Sequence, residues 1–211
     1  KKTTPDKIAI KAYKIGHDVL KWGIGKQDEY ASAFGGLNLY KFTKNKVIVK
    51  PINLKKSTAK ELQDNSLLFR LGDREHSKGI LQSQIKSINQ SNKTTISALH
   101  KAKELAIEMH DSLKENDLTK FSDILNRGWE AKRDYTKGVS NKRIEMVSKK
   151  AIENGAQALK VTGAGGGGHF FIYASPSKHR SIINSLKKLG VSNVDFKYQN
   201  QGAKVFEINN L

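Results

Sequence analysis

Apolar residues recur at helical spacing over 5–21, where Ile8, Ile10, Ala12, Tyr13, Ile15 and Leu20 sit among polar positions and Pro5 stands near the first turn. Gly23 and Gly25 close that helix. In GKQDEYASAFGG a loop leads into a short helix over 29–34, stopped by Gly35-Gly36. LNLYKFT and KVIVKPI alternate apolar and polar positions around Lys44-Asn45, the pattern of a β-hairpin. SLLFRL (66–71) predicts a strand and HSKGILQSQIKSI a helix. A long helical tract runs from about Thr95 to Tyr135 with a break at Glu115-Asn116-Asp117, where Asp117 or Thr119 would cap the second half. A further amphipathic helix covers 141–154 and ends at Gly155.

The last third changes character. ALKVT and HFFIYAS read as strands joined by the turn GAGGGG, a helix spans 177–188 and ends at Gly190, and VDFKY and KVFEI read as final strands. Strands on both sides of helical blocks, with short connections, predict an α+β fold in which helices cover one face of an antiparallel sheet. The polar stretch 55–65 (KKSTAKELQDN) is the expected boundary between a short N-terminal part, 1–55, and a C-terminal domain, 65–211.

Composition narrows the function classes. The 211 residues contain no cysteine, which excludes disulfide staples, zinc–cysteine sites and thiol catalysis. Mean hydropathy is −0.58 and no long apolar run occurs, so no membrane-spanning helix is expected. The chain opens on Lys1 with no secretory signal pattern, an expectation of a cytoplasmic protein with sequence upstream. The formal net charge of +18 invites a nucleic-acid reading. However, Lys101, Lys103, Lys114, Lys120 and Lys132 interleave with Glu104, Glu108, Glu115 and Glu130, as on solvated helix faces. His17, His76, His100, His110 and His179 show no ligand spacing, so no metal site built from protein ligands is expected.

Two segments carry candidate chemistry. Gly163, Gly165 and Gly168 satisfy G-x-G-x-x-G, but a dinucleotide fold needs that motif to open a helix, and here it leads into a β-branched, aromatic strand. Five glycines in six residues cost roughly 0.5–1 kcal/mol each in chain entropy relative to alanine. Such a cost is expected where backbone must approach a ligand, or another loop, more closely than a Cβ permits. Asp28 follows Gly25-Lys26-Gln27 at a helix start, where it either caps the helix or serves as an ionised carboxylate beside Lys26. A carboxylate so placed can orient a hydroxyl and accept its proton, which suffices for phosphoryl transfer because positioning dominates that reaction.

GIGKQDEYASAFGG and KVTGAGGGGHFFIYASP, in this order, resemble the GHMP small-molecule kinase superfamily, and the GKQD…FGG wording is most similar to its D-glycero-D-manno-heptose 7-phosphate kinases. ILNRGWEAKRDYTKGVSN is similar to a W-x-x-K segment of that subfamily, matched by Trp129 and Lys132. The resemblance implies a ferredoxin-like C-terminal domain plus the remnant of an N-terminal α/β domain. It implies ATP- and Mg²⁺-dependent phosphorylation of the anomeric hydroxyl of a sugar phosphate. Asp28 would be the catalytic base with Lys26 beside it. Gly35 and Gly36 would line the sugar site, Trp129 would stack on the sugar, and Lys132 and Arg133 would meet its distal phosphate. Gly163, Ala164, Gly165, Gly166, Gly167 and Gly168 would support the nucleotide phosphates. The superfamily's P-x-G-x-G-L-G-S-S loop, to which most of the ATP and Mg²⁺ binding belongs, does not occur in the 211 residues. In LGDREHSKGIL, similar to the family's arginine-containing turn, Arg74 is shifted by one position, and His169 stands where a larger apolar residue is usual. The alternatives are a GHMP kinase of galactose, fucose or mevalonate type, and a non-enzymatic basic module binding nucleic acid.

Overall fold

The computed structural model describes residues 3–72 and 77–204. Arg74, His76 and, from residue 205 onward, the expected strand KVFEI lie outside them. The described residues form two compact units, one made of 3–53 with 198–204 and the other of 54–197.

In the first unit, α1 (Pro5–Lys14) starts at Thr4, whose hydroxyl accepts the Lys7 N–H, and widens into a π-helical turn over Ile15–Val19. Lys21, at φ 54°, ends the helical run in the left-handed region. Helix α2 (Gln27–Phe34) begins two residues earlier than the hydrophobic pattern indicates and closes on Gly35, φ 64°. Strands β1 (Asn38–Phe42) and β2 (Val47–Pro51) form the expected antiparallel hairpin, with Tyr40 opposite Val49. Alternation aims Tyr40 at α2, where its ring meets Tyr30 edge-on at 6.2 Å.

The second unit opens with α3 (Lys56–Asp64), in the stretch read as a polar boundary. Its apolar stripe is only Thr58 and Leu62, one turn apart, too short to register as a period. Strand β3 (Ser66–Gly72) leads to α4 (Ser77–Asn89), α5 (Lys93–Glu115) and α6 (Leu118–Arg133). The break between α5 and α6 is a left-handed Asn116, φ 60°, followed by Asp117, whose carboxylate accepts the Lys120 N–H at 2.8 Å. Helix α7 (Lys142–Glu153) is capped by Asn141. Then come β4 (Ala158–Val161), β5 (Gly168–Tyr173), α8 (Pro176–Lys187) and β6 (Ser192–Val194). The last strand is shorter and earlier than VDFKY, because only 192–194 pair with β3.

All strand pairs in this unit are antiparallel, in the order β4-β5-β3-β6, the β-α-β-β-α-β arrangement of ferredoxin-like folds. Period-two alternation sorts the side chains. Leu67, Phe69, Leu71, Leu159, Val161, Phe170 and Ile172 point to one face, buried against Ile144, Val147 and Ala151 of α7 and Ile182 and Leu186 of α8. Each fully buried Phe or Ile contributes about 1.5–3 kcal/mol. Leu68, Lys160 and Phe171 stand on the other face in one cross-strand row. Among the described residues no helix is long and apolar enough to cross a membrane.

Candidate active site

In the second unit the glycine segment is a built loop. It joins β4 to β5, which pair with Val161 opposite Phe170. Gly163, Gly165, Gly166 and Gly168 all have positive φ, at 67°, 101°, 74° and 82°. A Cβ on Gly165 would lie 2.8 Å from the Val139 carbonyl oxygen and 2.9 Å from its Cα. Backbone therefore passes against backbone, as five glycines foretold, and the partner is another loop of the same chain, 134–141. The Gly166 N–H donates to the Val139 carbonyl at 2.9 Å. Asn141 accepts the Ile144 N–H through Oδ1 at 3.0 Å and donates from Nδ2 to the Gly166 carbonyl at 3.1 Å. The same side chain thus caps α7 and pins the loop. Sequence reasoning passed over Val139 and Asn141. The available signal was Gly138, φ 90°, a second permissive residue in the facing loop.

Trp129 and Arg133 line one cavity with Asn126 and Glu145, whereas Lys132 is turned toward the glycine loop. Trp129 is 5% exposed and packs in the sheet core. Lys132 is 8% exposed, and its ammonium donates to the carbonyls of Val161, at 3.2 Å, and Gly163. It grips the start of the glycine loop instead of reaching outward to a phosphate. Arg133 pairs with Glu145 of α7 at 3.0 Å, both half-exposed. His169 lies in β5 opposite Arg70, and its carbonyl accepts from the Thr162 N–H.

In the first unit Asp28 sits in the first turn of α2, exposed to solvent. The cap position belongs to Lys26, and no side chain caps the helix there. Asp28 is therefore two residues too deep to serve as N-cap, and it stands where free backbone N–H groups favour an anion. The neighbouring Glu29 has Oε2 buried without a hydrogen-bond partner, a group that an added donor or cation would satisfy. The Lys26 ammonium lies 5.2 Å from the Tyr13 ring centroid, so α1 also holds it. Helix α2 is fixed from beneath by Tyr30, whose hydroxyl donates to Asp6 at 3.0 Å. Burial and the Asp6 carboxylate push the Tyr30 phenol up to about 12.

Gly35 and Gly36, expected at the sugar, meet the returning chain. The Gly36 N–H donates to the Gln199 carbonyl at 2.8 Å, and a Cβ on Gly35 would lie 2.4 Å from the Gly202 nitrogen. Their positive φ serves this close approach. Among the described residues no group of three or more His, Asp or Glu is placed to hold a metal ion.

Comparison with known proteins sharpens the picture. Residues 109–192 match the family model described as GHMP kinases C terminal. Residues 109–192 thus match a GHMP kinase C-terminal domain. Over 202 residues it is 34% identical to the D-glycero-alpha-D-manno-heptose 7-phosphate kinase of Campylobacter jejuni, covering 95% of this chain and 59% of that protein. It is 25% identical over 161 residues to the L-fucokinase/L-fucose-1-P guanylyltransferase of Bacteroides fragilis, covering 74% of this chain and 17% of that protein. A crystal structure of a D-glycero-D-manno-heptose 1-phosphate kinase from Bacteroides thetaiotaomicron superposes with a TM-score of 0.72 at 26% identity, over 98% of this chain and 57% of that one. The chain thus spans less than two thirds of the length of these relatives. The ferredoxin-like sheet and its glycine loop are the structural content of the GHMP domain here.

Proposed function

We propose that this chain belongs to a sugar kinase that transfers the γ-phosphoryl group of ATP to the anomeric hydroxyl of a heptose phosphate such as D-glycero-D-manno-heptose 7-phosphate. The observation that carries the reading is the pair of segments GKQDEYASAFGG and TGAGGGGHFF in one chain that is 34% identical to a heptose 7-phosphate kinase. Asp28 accepts the proton of the attacking hydroxyl. The sugar oxygen forms its bond to the γ-phosphorus while the bond from that phosphorus to the β-phosphate bridging oxygen breaks, and ADP leaves with the electron pair. Placement of Asp28 at an uncapped helix start, exposed to solvent, supports this role.

Lys26, two residues earlier at the cap position, adds positive charge near the developing negative charge. Gly35 and Gly36, packed against the returning segment 199–202, form part of the wall of the sugar site. Residues 163–168 present main chain to the nucleotide phosphates. Mg²⁺ neutralises charge on those phosphates when bound, and the residues for it lie in the P-x-G-x-G-L-G-S-S motif that the 211 residues do not contain. The reaction places the enzyme in the cytoplasm, where ATP is supplied.

The test is a phosphorylation screen of the protein carrying this chain against heptose 7-phosphate, galactose, fucose and mevalonate. Turnover of heptose 7-phosphate with a phosphate appearing at the anomeric carbon supports the reading. Preference for a neutral sugar or for mevalonate reassigns the substrate to another branch of the family, and inertness toward all four rejects the kinase.

A further inference from the structure

We propose that Lys132 is a positioning residue for nucleotide binding, a buried cation that holds the glycine loop open toward phosphate without touching the ligand. The proposal rests on the reading of 163–168 as phosphate-facing backbone. Lysine is among the side chains least often buried, and one that is buried needs its protons satisfied. Lys132 is 8% exposed, and two of its acceptors are the carbonyls of Val161, the last residue of β4, and Gly163, the first glycine of the loop.

Two consequences follow from that placement. First, the oxygens of residues 161 and 163 are turned toward the ammonium, so their negative ends cannot face an anion. Second, the Lys132 ammonium lies at the root of the loop within a protein core, where water screens charge poorly. Two side chains and one main-chain carbonyl, of separate origin, then act on one six-residue turn. Lys132 fixes its entry, the Val139 carbonyl holds Gly166, and Asn141 holds the Gly166 carbonyl. A lysine serving only to fill space would need neither carbonyl, and a methionine of like shape would replace it.

The charge and the tether make a discriminating test possible. In the protein carrying this chain, Lys132→Met is compared with the unmodified form by titration with ATP and with adenosine. ATP affinity is expected to fall about tenfold or more, the size of one poorly screened unit charge at several ångströms, while adenosine affinity stays unchanged. Amide hydrogen exchange of the unliganded variant is expected to speed up at least tenfold over 163–168 and not at Phe69 or Ile172. Equal losses for ATP and adenosine, or unchanged exchange in the loop, would overturn the proposal. Should the variant not fold, nitrogen NMR of the unmodified protein replaces it. A slowly exchanging Lys132 ammonium, coupled through hydrogen bonds to the carbonyls of residues 161 and 163 and shifted by ATP but not by adenosine, is expected, and its absence overturns the proposal. ATP that binds both forms alike defeats the role of Lys132 alone, whereas ATP that never binds the unmodified protein defeats the kinase reading with it.

Discussion

The Gly166 N–H donates to the carbonyl of Val139 at 2.9 Å, joining the glycine turn to the loop that links α6 and α7. A Cβ on Gly165 would meet that same carbonyl at 2.8 Å, and φ there is +101°. Gly165→Ala is therefore expected to destabilise the protein by about 1–3 kcal/mol through strain at a left-handed position, before any clash is counted. Gly128, inside α6, has nothing within 4 Å of its would-be Cβ. Gly128→Ala should stabilise by up to about 1 kcal/mol, the helix propensity difference. Urea denaturation of the two variants checks the pair, and equal effects would mean that the loop is not packed as described.

The Tyr30 phenol supplies a pH signature. Its folded value of about 12 lies above the ordinary value of 10.0. Below pH 10 the phenol is protonated folded or unfolded, and the stabilisation is fully present. Between pH 10 and 12 the unfolded chain loses its proton first, so stability falls as pH rises. Burial also raises Tyr40, Tyr135 and Tyr173, so ultraviolet titration should show several late tyrosines, one fewer in Tyr30→Phe. That variant should also lose about 1.5–3 kcal/mol, the range for a hydrogen bond to a charged group. A Tyr30 that ionises with the exposed tyrosines would contradict the buried bond to Asp6.

Lys160 carries the opposite sign. It stands opposite Phe171 on the sheet face away from α7 and α8, and burial lowers its pKa below 10.5. The unfolded lysine then binds its proton more tightly than the folded one. The penalty is full below the lowered folded value and is relieved as pH rises from there to 10.5. Lys160→Met should be more stable than the unmodified chain at pH 7, with the difference shrinking toward pH 10. A difference that grows with pH would show that Lys160 is a paired, stabilising charge.

How much of this was legible in the residues depends on the range of the forces involved. Strands with period two, such as HFFIYAS, and caps with local chemistry, such as Asp117 and Gly155, were readable because neighbours decide them. The helix at Lys56–Asp64 was not, since its stripe is only Thr58 and Leu62 and its stability comes from packing. The glycine loop was readable as a place of close approach, but the partner, Val139, lies more than twenty residues away. Lys132 shows the limit best. A lysine in a W-x-x-K pattern reads as an outward-reaching charge, and only the fold reveals that its reach ends at Val161 and Gly163. The close approach at Gly35 and Gly36 was illegible for the same reason, because the returning segment 199–203 is remote in sequence.

The turnover of Asp28→Asn in the protein carrying this chain bears most directly on the proposed chemistry. The amide keeps the size of the side chain at an exposed helix start and removes only its ability to take a proton. With heptose 7-phosphate and ATP, kcat is expected to fall by roughly 10²–10⁴-fold with both KM values nearly unchanged, the usual worth of a general base. Undiminished kcat would remove Asp28 from the reaction and contradict the account at its centre.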